Sequence, residues 1–247
     1  MNDADKKRIS AMREGGSRLG KVKRALVDFT KVGTRFEEIE AEAVRLIHSF
    51  GARPNFSLVP GYSWATCIMK NAELCHGIPK GKVVEEGDVI TIDVGLLYND
   101  YNLDTTTTFS VGAITTETNQ FIQRGKQVLD EAIAAAVIGN TVYDISLALE
   151  RGLQRYSYGV VYQLTGHGIG TQLHMEPSIP VFADKSSKKH KLTVGQTLAI
   201  EVMYTQGLPE LKIASDGWTF RTKDGSLGGM FEETVLITSE FPEVLTV

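Results

Sequence analysis

Two cysteines, Cys67 and Cys75, are all that this chain of 247 residues contains. So few thiols exclude a disulfide framework and fit a reducing cytoplasm. With no CxxC and no second pair, they exclude a cysteine zinc site as well. No apolar run approaches the ~18 residues of a membrane span. Residues 1–8 are charged and lack the apolar core of a secretory signal. Positive charge is not in excess either. A formal net charge of −4 gives no support for binding nucleic acid or a membrane surface, and the short Lys185 to Lys191 stretch reads as a solvated loop. Walker, GxSxG and GxGxxG motifs are all absent, which removes the usual signatures of phosphate, serine-hydrolase and dinucleotide chemistry.

What remains is a soluble globular composition in a chain long enough to bury a substantial core. The first fifty residues read as two helices. Thr34 with Glu37 predicts a capping box, after which Phe36, Ile39, Ala43, Ile47 and Phe50 recur at helical spacing until Gly51. From Phe56 to Phe109 the pattern is strand-like, with Val89 to Leu97 and Tyr101 to Val111 flanking a turn at Asn99-Asp100. Helical spacing returns from about Glu117 to Val137, and Thr141 with Asp144 opens a further helix carrying Ile145, Leu149 and Leu153. The rest is strand-like, with a hairpin expected at Asp224-Gly225.

This order repeats. Gly33 aligns with Gly139 and Ile39 with Ile145, and the segment Gly87 to Val94 falls on Gly195 to Val202, with Asp93 matching Glu201. Two copies exclude a solenoid and predict a duplicated α+β unit whose halves face each other.

Four acids, Asp93, Asp104, Glu201 and Glu232, each sit in a strand-like apolar run where an unpaired charge is expensive to bury. Strand alternation puts Thr91, Asp93 and Gly95 on one face, with Asn102, Asp104, Thr106 and Thr108 sharing a face of the next strand. A two-residue turn sets Asp93 opposite Thr106 and diagonal to Asp104, within reach of it. Thr197, Ala199 and Glu201, then Met230, Glu232 and Thr234, repeat the arrangement in the second half. A wet, Thr-rich exposed face is the plain alternative for the first hairpin. Two divalent cations would cancel the four charges, and oxygen ligands with one imidazole suit Mn, Fe, Co or Zn. His167, between Gly166 and Gly168, supplies an imidazole on backbone that can approach a ligand closely. His76 and His174 stand beside these elements and are candidates for hydrogen bonding to substrate. His48 and His190 carry no such signal.

The segments Asn71 to Pro79, Ile90 to Gly95 with Asp104-Thr105, Gly166 to Gly170 with His174, Ile200-Glu201, and Asp216 to Thr219 leading to Phe231 to Thr234 resemble the methionine aminopeptidases. The resemblance is to the compact type I form of peptidase family M24, over nearly the whole length. It implies an α+β pita-bread fold: one domain, 1–247, with pseudo-twofold halves of about 1–112 and 113–247 and helices packed on a curved antiparallel sheet. It implies two divalent metal ions (Co, Mn, Fe or Zn), with Asp93 and Glu201 as outer ligands, Asp104 and Glu232 bridging, and His167 on one ion. Glu201 would also handle the proton, His174 would polarise the scissile carbonyl, and His76 would contact the scissile amide. Tyr62, Cys67 and Trp218 would hold the methionine side chain. The implied reaction removes the initiator methionine from nascent proteins with water activated by the two metals. A cytoplasmic monomer, with the nascent N-terminal peptide as partner and contact with the ribosome, goes with that activity; nucleic acid and membrane do not.

The chain departs from the family pattern at several places. Val202 stands where proline is usual, and Phe56, Val59 and Leu173 replace other pocket residues while staying apolar. Glu233 stands where histidine is usual, and alternation turns it to the face of Phe231, Val235 and Ile237, where it needs a partner. An Xaa-Pro aminopeptidase or dipeptidase of the same fold, and a non-catalytic peptide-binding homologue, are the competing expectations.

Overall fold

The computed structural model describes residues 2–247. Its helices are α1 (Asp3–Phe29), α2 (Phe36–Ser49), α3 (Thr116–Ala134) and α4 (Val142–Arg155). The first-half strands are β1 (Arg53–Pro54), β2 (Thr66–Lys70), β3 (Glu73–Cys75), β4 (Val89–Tyr98) and β5 (Tyr101–Ser110). The second half contributes β6 (Gly159–Val160), β7 (Thr165–Gly168), β8 (Met175–Pro180), β9 (Thr197–Thr205), β10 (Leu211–Ile213), β11 (Phe220–Thr222), β12 (Gly228–Leu236) and β13 (Glu243–Val244).

The large sheet runs β1-β4-β5-β12-β9-β7-β8, and β3, β10 and β11 form a small second sheet. Each half buries its own apolar cluster. Ile9, Leu19 and Leu26 of α1 and Ile39 and Ile47 of α2 pack with Ile90, Ile92 and Leu103 of the first hairpin. Phe121 and Leu129 of α3 and Ile145 and Leu149 of α4 pack with Leu198, Val202 and Phe231. Amphipathic helices thus bury their apolar stripes on the sheet's apolar face, leaving its other face for the polar residues. At Gly16 of α1 a Cβ would run into the backbone of Leu245, so glycine lets the long helix lie against the C-terminal segment.

The repeated sequence has repeated bonding. Phe36 N donates to Lys82 O at 3.0 Å, and Val142 N to His190 O at 3.0 Å. Gly87 N donates to Val111 O at 2.8 Å, and Gly195 N to Ile237 O at 2.8 Å. Gly87 and Gly195 share a left-handed φ, as do Gly33 and Gly139, a conformation that costs a side-chain-bearing residue free energy. The halves meet where β5 pairs with β12, at Thr105↔Glu233 and Thr106↔Glu232.

Three local expectations are corrected. The capping box of α2 forms one residue later than Thr34-Glu37: the Glu38 carboxylate accepts from Arg35 N at 2.7 Å, while Thr34 Oγ1 accepts from Lys31 N and Glu37 from Gly81 N. Asp224-Gly225 does not close a hairpin. β11 pairs with β10 and β3, whereas β12 pairs with β5, β9 and β13, so the turn carries the chain between sheets. Residues 56–65 are not strand: Phe56–Leu58 is a 3-10 turn leading into an irregular segment before β2.

Candidate metal centre and substrate cavity

Asn99 and Asp100 both take left-handed φ, the geometry of a two-residue hairpin turn. That turn sets the β4–β5 register, with Asp93 opposite Thr106 and Gly95 opposite Asp104. Glu232 then lies opposite Thr106 on one side and Glu201 on the other. Asp93, Thr106, Glu232 and Glu201 therefore form one row across four adjacent strands, with Asp104 a step along β5. His167 on β7 faces Ala199, two residues from Glu201 on the same strand face.

The two halves do not repeat the acids in register. Relative to Asp93 and Glu201, the counterpart of Glu232 is Thr106, and the counterparts of Gly95 and Asp104 are Met203 and Met230. The scaffold is duplicated, but the acid pair is diagonal in one half and directly opposed in the other.

All four acids and His167 are buried, Glu232 to 1 % exposure. Ligand atoms of Asp104, His167 and Glu232 lie within 4.8 Å of one another. Asp93 Oδ1 and Glu232 Oε1 are buried without a hydrogen-bond partner, and among the described residues none of the four acids enters an ion pair. Burial, the largest cause, pushes the Asp93 carboxyl up to about 6. Asp104, Glu201 and Glu232 are raised well above the carboxylate range, first by burial and then by one another's charge. Such a cluster stays ionised only beside compensating positive charge.

Burial has the opposite effect on His167, which is pushed down to about 4 and stays neutral near pH 7. Its Nδ1 lies 3.0 Å from Gly168 O. Donation there assigns the proton to Nδ1 and leaves the Nε2 lone pair for a ligand bond. Four oxygen donors, one neutral imidazole and orphaned carboxylate oxygens fit divalent cations.

These residues line a cavity of about 300 Å³. Phe56, Val59, Tyr62, Cys67, Leu173 and Trp218 form an apolar end. Tyr62 and Trp218 meet edge to face at 5.1 Å, and Tyr62 Oη donates to Thr66 O at 2.8 Å. Asp216 shapes the approach, accepting from Trp218 N and Thr219 N at 2.9 and 2.8 Å. Burial pushes the Cys67 and Cys75 thiols well up, so both remain protonated and act as small apolar walls.

His76 and His174 also face the cavity. His76 holds a left-handed φ of 54° between Cys75 and Gly77, and a side chain at Gly77 would strike Ile68 O. His174 sits at the exposed rim with its ring 4.6 Å from that of His167. Desolvation lowers both imidazoles below the ordinary histidine value, so both are neutral donors near pH 7.

The structure thus brings all ten candidate residues to one cavity, together with Phe56, Val59 and Leu173. It adds Cys75, Gln163, Leu164, Thr165, Met203 and Met230, which the motif reading did not assign to the site. Alternation could have found the methionines, since Met203 and Met230 are each two residues from an acid. Gln163 and Leu164 precede the short strand β7 that Thr165 opens, and the three carry no periodic signal. Glu233 turns to the opposite face of the sheet, where Lys23 Nζ lies 2.6 and 2.8 Å from its carboxylate oxygens.

Residues 10–239 match the model of metallopeptidase family M24. A methionine aminopeptidase of Clostridium acetobutylicum is 36 % identical over 239 residues, covering 96 % of this chain and 95 % of that protein. The crystal structure of a methionine aminopeptidase from Thermotoga maritima superposes with a TM-score of 0.94 at 31 % identity, covering 97 % and 96 % of the two chains. A prolidase from Pyrococcus furiosus gives a TM-score of 0.80 at 26 % identity, covering 98 % of this chain but 64 % of that one.

Proposed function

The chain belongs to metallopeptidase family M24, and from that premise we infer that it acts as a metal-dependent aminopeptidase removing N-terminal methionine from polypeptides, on the pita-bread fold. The observation that carries this reading is the meeting of four buried acids and a neutral imidazole at one end of a cavity whose other end is apolar and aromatic. Methionine suits that end, because an unbranched thioether adapts to irregular apolar walls and packs well against aromatic rings.

In our reading Asp93, Asp104, His167, Glu201 and Glu232 would together hold two ions of Mn, Fe, Co or Zn. Such ions supply Lewis-acid polarisation of a carbonyl and lower the pKa of a water toward neutrality. The chain's own residues do the rest. Tyr62, Cys67 and Trp218 seat the methionine side chain. His174 donates to the scissile carbonyl oxygen from the rim, a role open to a neutral ring, and helps hold charge that develops there. His76, fixed by its backbone, contacts the scissile amide. Glu201 carries the proton to the leaving amine.

We take residues 1–247 as one domain of two halves and place it in the cytoplasm as a monomer acting on nascent chains near the ribosome. No helix among the described residues is long and apolar enough to cross a membrane. The test is a mass-spectrometric assay of Met-Ala-Ser, Leu-Ala-Ser and Xaa-Pro peptides, with and without chelator. Chelator-sensitive release of methionine from the first peptide is expected. Preferential cleavage of Xaa-Pro peptides, or no cleavage by metal-loaded protein, overturns the reading.

A further inference from the structure

Behind the acid row, on the sheet's other face, lies a charged group that the reaction does not use. Lys23 of α1 and Glu233 of β12 form an ion pair whose side chains are 12 % and 8 % exposed. Each charge is bonded further. Lys23 Nζ donates to Thr105 Oγ1 at 2.9 Å, and Thr246 Oγ1 donates to Glu233 Oε2 at 2.5 Å. An ion pair removed from water pays back its desolvation only with good geometry, and apolar replacements are often as stable. Stability alone therefore gives little reason for this pair.

Its position gives another. Thr105 is bonded to two acids that lie diagonally across the junction of the halves, to the carboxylate of Asp104 and to the backbone carbonyl of Glu232. Its N–H donates to Asp104 Oδ1 at 2.9 Å, and its hydroxyl lies 2.9 Å from Glu232 O and 3.0 Å from Glu233 Oε2, sharing one proton between them. Lys23 fills the hydroxyl's acceptor side and Glu233 holds its donor side. Thr105↔Glu233 and Thr106↔Glu232 are also the register pairs that join β5 to β12.

We propose that the buried Lys23–Glu233 pair is a positioning element that sets, through Thr105, the separation of Asp104 and Glu232 and hence how tightly the centre holds divalent cations. It rests on the reading of Asp104 and Glu232 as ligands. Asp104 and Glu232 come from strands of different halves. Small shifts at the β5–β12 junction change their spacing directly, whereas Asp93 and Glu201 sit inside their own halves. Outer partners of metal ligands typically change affinity by about 10–100-fold when removed.

The experiment is calorimetric titration of the metal-free full chain with Mn²⁺, alongside thermal melts and steady-state kinetics. The double variant Lys23→Met/Glu233→Leu removes both charges and keeps apolar volume, so it should fold. It is expected to bind Mn²⁺ about tenfold more weakly or worse, and at limiting Mn²⁺ to lose kcat with little change in KM. Lys23→Arg, which can still pair with Glu233, should bind Mn²⁺ close to wild type. If the double variant is unfolded, Thr105→Val takes its place: it deletes the linking hydroxyl, and the same weakening is expected. A folded variant with wild-type Mn²⁺ affinity overturns the proposal and leaves the ligand reading standing. Wild-type affinity in Glu232→Ala overturns both.

Discussion

The Thr106 hydroxyl donates to Glu232 Oε2 across 2.9 Å, while Glu232 Oε1 has no protein partner. Thr106 lies opposite Asp93 on one side and opposite Glu232 on the other. It occupies in the first half the register position that Glu232 occupies in the second. A carboxylate there would set like charges side by side along the whole row, which repel at this spacing. Threonine supplies a donor in place of a charge. One oxygen of Glu232 is oriented and the other is left without a partner.

Replacing Thr106 by Val keeps the shape and removes that donor. Neither oxygen of Glu232 is then held by the protein, and affinity for Mn²⁺ is expected to fall by about tenfold, the low end for partners that orient a ligand. Thr106→Ser should retain it. Calorimetric titration of the two variants checks this, and equal affinities would remove the orienting role.

Asp104 and Glu232 are the acids whose loss should be felt most. Each is buried, and each shares ligand reach with His167. Substituting either with Ala is expected to lower turnover by at least about 100-fold, which corresponds to some 3 kcal/mol of transition-state stabilisation. Chelator should have a comparable effect on the unaltered protein, and added Mn or Co should reverse it. Peptide hydrolysis above about one percent of the unaltered rate in Glu232→Ala contradicts its role as a residue that would hold the metal.

His174 allows the opposite separation. Its ring faces His167 at 4.6 Å but stands at the exposed rim, outside the ligand cluster. His174→Ala should therefore keep its metal and lose roughly 100-fold or more in kcat, as loss of one donor to a developing oxyanion does elsewhere. Elemental analysis beside the kinetics checks it. A variant that has lost its metal would make His174 a ligand and not a donor.

Much of this site can be read before folding is considered, because strand alternation and a two-residue turn are enough to place Asp93 beside Thr106 and near Asp104. The duplicated glycines Gly87 and Gly195 mark equivalent turns, which is why the halves are visible in one sequence. Alternation does not report how two distant strands slide. The β9–β12 register puts Glu232 opposite Glu201 and not diagonal to it, and nothing local to either strand encodes that offset. Long-range partners are hidden for the same reason: Lys23 and Glu233 meet only because α1 crosses the β5–β12 junction. Asp224-Gly225 misleads as a hairpin because turn chemistry specifies the bend, while hydrogen bonding with other strands decides where the chain goes next.

Proton linkage supplies the last prediction, and its sign differs from that of ordinary surface acids. Burial raises Asp93 to about 6, and Asp104, Glu201 and Glu232 further. In the unfolded chain all four ionise near 4. Without bound cations the folded protein therefore holds more protons than the unfolded one, and its stability falls as pH rises through the folded values. The lowered imidazoles act in the other direction. His167 at about 4, with His76 and His174 also depressed, loses stability as pH falls below the ordinary histidine value of 6.5. Above that value the three rings are neutral in both states and contribute no slope, while the buried Cys67 and Cys75 thiols, also raised, add the same sign as the carboxyls from about pH 8 upward. Glu40, also raised by burial, adds to their sign. Urea unfolding of chelated protein should show its midpoint dropping over the window that opens at about pH 6.5, where the site histidines cease to contribute and the raised carboxyls still ionise. Loading with Mn²⁺ should flatten or reverse that slope, since the cation takes the place of the protons and binds better as they leave. A chelated protein that grows more stable across this window would mean that the four acids are compensated by charge within the chain, and the case for cations at this row would fall with it.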